Sequence, residues 1–142
     1  MSDQSNSELH SLVSDLVQDL GWTLTPIQQE SIPGLLEGRH RLLLAPTGSG
    51  KTEAAVLPLA SRALTEEWEG LSILYVTPLR ALNRDIDRRL GAMLEPLGLS
   101  VGLRHGDTTQ SERTRQSRSP PNLLETPPQP QQKKLRGSRM TQ

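Results

Sequence analysis

The sequence predicts an α/β fold built on a parallel sheet, and three observations carry that prediction. Apolar runs at 42–45, 72–77 and 101–103 have strand character. Each is followed by a turn rich in Gly or Pro, and segments of helical periodicity lie between them. Strands that alternate with helices in this way pair in parallel, because each helix crosses back over the sheet. At 142 residues the chain has room for one domain at most. Its hydrophobic share is 33%, with two Trp, one Tyr and no Phe, so no large aromatic core can form. The absence of Cys excludes disulfides and a Cys-based metal site. No apolar run approaches the roughly 18 residues of a membrane span, and the N-terminus lacks the basic-then-apolar pattern of a secretory signal. A cytoplasmic protein without a membrane partner is expected.

The first element is an amphipathic helix. Ser5-Asn6-Ser7-Glu8 reads as a capping box, Leu9, Leu12, Val13, Leu16, Val17 and Leu20 fall at helical spacing, and Gly21 supplies the stop. A second helix follows Thr25, a good N-cap, with Pro26 at the first helical position, and runs to about Leu36. Gln28, three residues after Thr25, has two readings that spacing alone leaves open. It can close a capping box on the Thr25 amide, or its amide can pair with the N6 and N7 edge of adenine.

The stretch from Leu42 to Thr52 is the centre of the sequence. Leu42-Leu43-Leu44-Ala45 reads as a buried strand, and Pro46-Thr47-Gly48-Ser49-Gly50-Lys51-Thr52 reads as a phosphate cradle opening a helix. Gly48 and Gly50 let backbone N–H groups approach phosphate oxygens where a Cβ would block them. Lys51 can set an ammonium against the β- and γ-phosphates, and Thr52 offers a hydroxyl to Mg²⁺. The standard pattern begins with Gly, and Ala45 stands in its place here.

The helix after the cradle is expected over about residues 50–64, bent by Pro58. Trp68 lies near its end and reads as a packing residue rather than a base-stacking one. Residues 72–77 form the clearest strand, ended by Pro78. A helix carrying Leu79, Leu82, Ile86, Leu90, Met93 and Leu97 on one side comes next, with Arg84, Arg88 and Arg89 on a solvated face paired to Asp85 and Asp87. Arg80 stands apart at the strand-to-helix turn, where ligands gather at the carboxyl ends of parallel strands. After the strand at 101–103 come Arg104-His105-Gly106-Asp107-Thr108-Thr109 and a helix over 110–118. His105 has no partner at metal-ligand spacing. Five of the eleven residues 120–130 are Pro, and residues 125–142 are read as a disordered tail.

Charge is unevenly spread. Residues 1–100 hold 8 Lys and Arg against 13 Asp and Glu, and residues 101–142 hold 8 against 3. The basic end could touch nucleic acid, although a solvated, disordered end is the favoured reading.

The order of these segments resembles the first RecA-like domain of a superfamily 2 helicase, and of the Lhr-like (large helicase-related) DEAD/DEAH group in particular. Thr25-Pro26-Ile27-Gln28 resembles the Q motif. Ala45 to Thr52 resembles motif I, in which alanine first is the habit of the superfamily. Thr77-Pro78-Leu79-Arg80-Ala81-Leu82 resembles motif Ia, and Arg104-His105-Gly106-Asp107-Thr108 matches the Lhr-like pattern. The resemblance covers about residues 8–124 and implies an incomplete RecA-like (P-loop NTPase) sheet with flanking helices. It implies ATP-dependent action on single-stranded or duplex nucleic acid, DNA favoured over RNA. By this resemblance Gln28, Thr47, Gly48, Ser49, Gly50, Lys51 and Thr52 bind ATP, with Mg²⁺ on Thr52. Pro78, Arg80, Gly106, Asp107 and Thr108 would hold the nucleic-acid backbone.

Two departures qualify the resemblance. Such proteins carry Thr-Thr-Pro-Glu after a hydrophobic strand, where this chain has Glu125-Thr126-Pro127-Pro128. No Asp-Glu-X-His or Asp-Glu-Ala-Asp stretch occurs to hold Mg²⁺ and activate water. The expectation is a partial helicase domain over 1–124, binding nucleotide weakly and not hydrolysing it alone, completed by a separate chain carrying the rest of the core. A stand-alone P-loop module and an inactive remnant of an interrupted gene are the alternatives.

Overall fold

A computed structural model describes residues 9–128. Helix α1 (Ser11–Asp19) begins at His10, whose Nδ1 accepts from the Leu12 amide at 3.2 Å. Leu9, Val13, Leu16 and Val17 are buried, while Leu12 and Leu20 of the expected stripe stay exposed. The expected capping box at Ser5–Glu8 lies outside the described residues. Helix α2 (Pro26–Leu36) and helix α3 (Lys51–Thr65) pack against each other, and α3 runs through the buried Pro58 without a break in its span. At its end the Arg62 guanidinium lies 5.0 Å over the Trp68 ring, giving Trp68 a packing role.

Among the described residues the sheet has three parallel strands: β1 (Ile73–Val76), β2 (Val101–Leu103) and β3 (Leu123–Thr126), in the order β1-β3-β2. The α/β class and the parallel sheet agree with the sequence, but the membership of the sheet does not. Leu42–Ala45, expected as a strand, pairs with nothing among the described residues, and Leu42 and Leu44 are 83% and 80% exposed. An apolar run becomes a strand only beside a backbone that completes its ladder. Here β1 forms one edge of the sheet and β2 the other, and neither pairs with residues 42–45. The third strand comes instead from residues assigned to the end of the domain and the start of the tail. Glu125 and Thr126, expected at the start of the tail, close β3; residues 129–142 of the expected tail lie outside the described residues.

The long helix expected over Leu79–Leu97 is divided. Leu79–Ala81 form one 3₁₀ turn, and Asn83 then caps helix α4 (Arg84–Leu94), its Oδ1 accepting from the Asp85 and Ile86 amides at 3.0 Å each. Asn competes well with the helical backbone for such amides, which is why it starts a helix better than it continues one. Leu79, expected on the packed side, is exposed. Helix α5 (Gln110–Arg118) has the expected span, with Thr109 Oγ1 accepting from the Glu112 amide at 3.3 Å.

One face of the sheet carries the core: Ile73, Leu123 and the half-buried Tyr75 and Val101 join Val56, Leu57, Leu90, Met93 and Leu94 from α3 and α4. On the other face, Gly102 lies against Pro121 and Gln116, and the Gln116 amide of α5 donates to the Leu103 carbonyl at 3.0 Å. Leu74 and Val76 stay exposed. Within the core face, β3 carries a polar exception. Glu125, paired in register with Tyr75 and Leu103, is fully buried, and neither carboxylate oxygen has a hydrogen-bond partner among the described residues. Burial, and secondarily the charge of Asp87, pushes its carboxyl up to about 7.

A folded pKa above the unfolded value means that the folded state holds this proton more tightly. The contribution of Glu125 to stability is therefore full below the ordinary carboxylate range and is lost as pH rises from about 4.5 to 7. Glu125→Gln removes the buried charge and should raise stability at pH 8 by roughly 1–3 kcal/mol, with much less effect at pH 5. Urea unfolding at both pH values measures this, and an equal effect at the two would contradict it.

Candidate nucleotide and nucleic-acid site

The turn before α3 has the geometry that its glycines allow. Gly48 and Gly50 sit at φ +82° and +85°, in the left-handed region that L side chains rarely adopt. A Cβ on Gly50 would also collide with the Gln28 amide. The Ser49 amide and hydroxyl both donate to the Pro46 carbonyl, at 3.2 and 2.6 Å, folding the loop onto itself. Gly50 is the N-cap, and its carbonyl accepts from Ala54 at 2.9 Å. The amides of the first helical turn therefore have no partner within the helix and carry its positive dipole end. The Lys51 ammonium donates one hydrogen bond to the Ala45 carbonyl at 2.6 Å, leaving two further N–H groups.

Helix α2 holds this loop from the side. The Thr25 hydroxyl donates to the Ser49 carbonyl at 2.9 Å, and Gln28 Nε2 donates to the Gly50 carbonyl at 3.1 Å. Gln28 Oε1 accepts from the Thr25 amide at 2.8 Å, the capping-box contact that the spacing suggested. Both ends of the buried Gln28 amide are thus engaged by backbone. Either end has capacity for one more bond, so the capping contacts are compatible with adenine recognition.

A cleft of about 630 Å³ gathers Gln28, Thr47, Gly48, Gly50, Lys51 and Thr52. Ser49 lies in the same loop but does not line the cleft. The sequence reading missed Trp22, which forms part of the wall, and the pair Glu53–Arg89. Arg89 was expected to pair with an Asp on its own helix. It reaches instead from α4 to Glu53 in the first turn of α3, offsetting a carboxylate that would otherwise face an anion. No local pattern announces that contact, because the two residues are 36 positions apart. The Thr52 hydroxyl makes no hydrogen bond among the described residues and is half-buried in this cleft, which fits one ligand to a phosphate-bound Mg²⁺.

The second group of site residues lies along the carboxyl ends of the strands. Because all three strands are parallel, the turns after β1 and β2 share one edge. Both are attached to β3: the Thr77 amide donates to the Thr126 carbonyl at 3.1 Å, and the Arg104 amide to the Glu125 carbonyl at 2.8 Å. Pro78 opens the 3₁₀ turn on which Arg80 stands exposed. In the other turn, Gly106 and Asp107 are exposed, while Thr108 has a structural contact, its Oγ1 accepting from the His105 amide at 2.8 Å. His105 Nδ1 accepts from the Asp107 amide at 3.0 Å, so His105 shapes the turn.

A glycine turn that feeds a helix N-terminus, on an α/β domain with ligand-facing turns at its strand ends, defines a RecA-like nucleotide-binding domain. Residues 25–139 match the model of the DEAD/DEAH box helicase family, and the chain belongs to that family. It is 33% identical to the ATP-dependent helicase Lhr-Core of Methanocaldococcus jannaschii, over 88% of this chain and 17% of that protein. Its fold matches the Mycobacterium smegmatis helicase Lhr bound to ssDNA and AMP-PNP with a TM-score of 0.72, at 30% identity, over 87% of this chain and 17% of the other. The RNA helicase Prp28 of Chaetomium thermophilum, bound to ADP, matches with a TM-score of 0.72 and 30% identity over 88% of this chain and 31% of the other. The chain thus spans between about a twelfth and a sixth of the length of the Lhr relatives it matches.

Gln28→Ala removes hydrogen bonds to the Thr25 amide and the Gly50 carbonyl together. It should lower stability by about 1–3 kcal/mol in urea unfolding, beyond any loss of nucleotide affinity. Unchanged stability would mean that these bonds are not holding the loop.

Proposed function

We propose that this chain is the nucleotide-binding and strand-holding part of an ATP-dependent nucleic-acid helicase or translocase. The observation that carries the reading is the convergence of Gly48, Gly50, Lys51 and Thr52 with Gln28 and Thr47 in one cleft at the start of α3. First-turn amides and the Lys51 ammonium suit a triphosphate, and Gln28 suits the adenine edge. Mg²⁺, held through the phosphates and Thr52, would neutralise the charge on the β- and γ-oxygens. Trp22, partly exposed at the cleft wall, gives an apolar surface against which a base can lie.

In the same reading Pro78 and Arg80, with Gly106, Asp107 and Thr108, hold the sugar–phosphate backbone across the strand ends. Backbone contacts of this kind position a strand without reading its bases. Single-stranded DNA is the favoured partner, supported by the likeness to a helicase Lhr bound to ssDNA. These 142 residues contain no Asp-Glu-X-His or Asp-Glu-Ala-Asp stretch, so hydrolysis is placed on groups that they do not supply. The exposed Leu42, Leu44, Leu74 and Val76 form the surface proposed for contact with the rest of the helicase core.

Titration of Mg-ATP should show at least about tenfold weaker binding for Lys51→Ala, the loss of one charge-assisted contact worth roughly 1.5–3 kcal/mol. Equal affinities would remove the nucleotide site. Arg80→Gln should weaken binding to a single-stranded oligonucleotide and lower the slope of log K against log salt by about 0.7. An unchanged slope would remove Arg80 from the track.

A further inference from the structure

Beside the turn at Gly106–Thr108 lies a groove of about 410 Å³ lined by Arg104, Gln110, Arg113, Thr114, Ser117 and Arg118. Positions 110, 113, 114, 117 and 118 fall on one face of α5, and Arg104 faces them from the end of β2. Three guanidinium groups therefore share one concavity. Among the described residues none of the three is in an ion pair, whereas Arg115 on the same helix pairs with Glu112. Arg113 is anchored, its Nε and Nη2 donating to the Thr108 and His105 carbonyls at 3.1 and 2.7 Å. Those bonds fix its orientation without neutralising its charge.

The other polar groups sharpen the preference. The Thr114 and Ser117 hydroxyls donate back to the Gln110 and Arg113 carbonyls, each at 2.9 Å. The donors left to the groove are the guanidinium groups and the Gln110 amide, so it suits a strong acceptor anion. Helix-dipole pairing would explain Arg118, at the last helical residue, but neither Arg104 nor the mid-helix Arg113. No aromatic side chain lines the groove, so it offers no platform for stacking a base. From Gln110 to Arg118 the helix rises about 12 Å, the axial length of roughly three nucleotides.

We propose that this groove binds nucleic-acid backbone phosphates, extending the strand track from the Gly106–Thr108 turn along α5. The proposal rests on the nucleic-acid reading above and adds a site to it. Arg113 joins the two parts, since it supports the turn with one edge and lines the groove with the rest of its guanidinium.

The test uses the full chain and two labelled single strands of roughly six and twelve nucleotides, of which the longer has about 20 Å more to lay along the roughly 12 Å of α5, at about 3.4 Å per nucleotide. Circular dichroism confirms folding of each variant. The double variant Arg104→Gln/Arg118→Gln should leave affinity for the short strand unchanged. For the long strand its salt slope should fall by about 1.4, so that the wild-type advantage shrinks roughly sevenfold between 50 and 200 mM salt. Ser117→Glu, which places a carboxylate in the groove without removing an arginine, should weaken long-strand binding alone. Wild-type slope and affinity on the long strand in both variants would overturn the proposal while Arg80→Gln still reports on the underlying track. Failure of the wild-type chain to bind either strand would overturn both. Poly-glutamate competing as well as the long oligonucleotide would overturn the assignment to nucleic acid.

Discussion

Pairing on both sides of β3 is the constraint on which the remaining structure depends. Neither β1 nor β2 has another strand partner among the described residues, and each reaches the sheet through Leu123–Thr126. The same strand holds Leu123 in the core between helices and sheet, and its last carbonyls fix the turns that follow β1 and β2. A parallel arrangement forces those turns onto one edge, so the separate segments around Arg80 and Gly106 lie along the same side of the sheet. That the strand also buries Glu125, whose carboxylate has no hydrogen-bond partner among the described residues, sets a local cost against this central role.

The cleft at the start of α3 depends on a different kind of contact. Its loop is shaped by backbone: two left-handed glycines, carbonyls that accept from Thr25, Gln28, Ser49 and Lys51, and the start of α3. Because Gln28 bonds to the Gly50 carbonyl, a shift in the loop is felt by α2, and a ligand that engages Gln28 would be felt by the loop. Arg89 and Glu53 tie α4 to the same cleft. The cleft is therefore assembled from three helices whose packing is set by the core beneath them.

Much of the site could be read before any coordinates. Gly48-Ser49-Gly50-Lys51-Thr52 has a local cause for each residue, and Thr25-Pro26 with Gln28 announces a helix start whatever lies around it. Asn83, by contrast, falls within the helical periodicity of residues 79–97, although its capping chemistry is visible in the sequence. Trp22, Arg89 and the Arg104–Arg113 groove were missed for another reason. Their significance lies in side chains brought together from distant elements, and no spacing encodes that.

By itself the sequence determined the class of the domain, the glycine turn and its helix, and the two turns at strand ends, because propensity, capping and φ preference act over a few residues. Tertiary structure decided which apolar runs became strands. Leu42–Ala45 has strand composition and no ladder partner among the described residues, while Leu123–Thr126, interrupted by a glutamate, became the middle of the sheet. A strand is completed by the backbone beside it, and that backbone lies elsewhere in the chain.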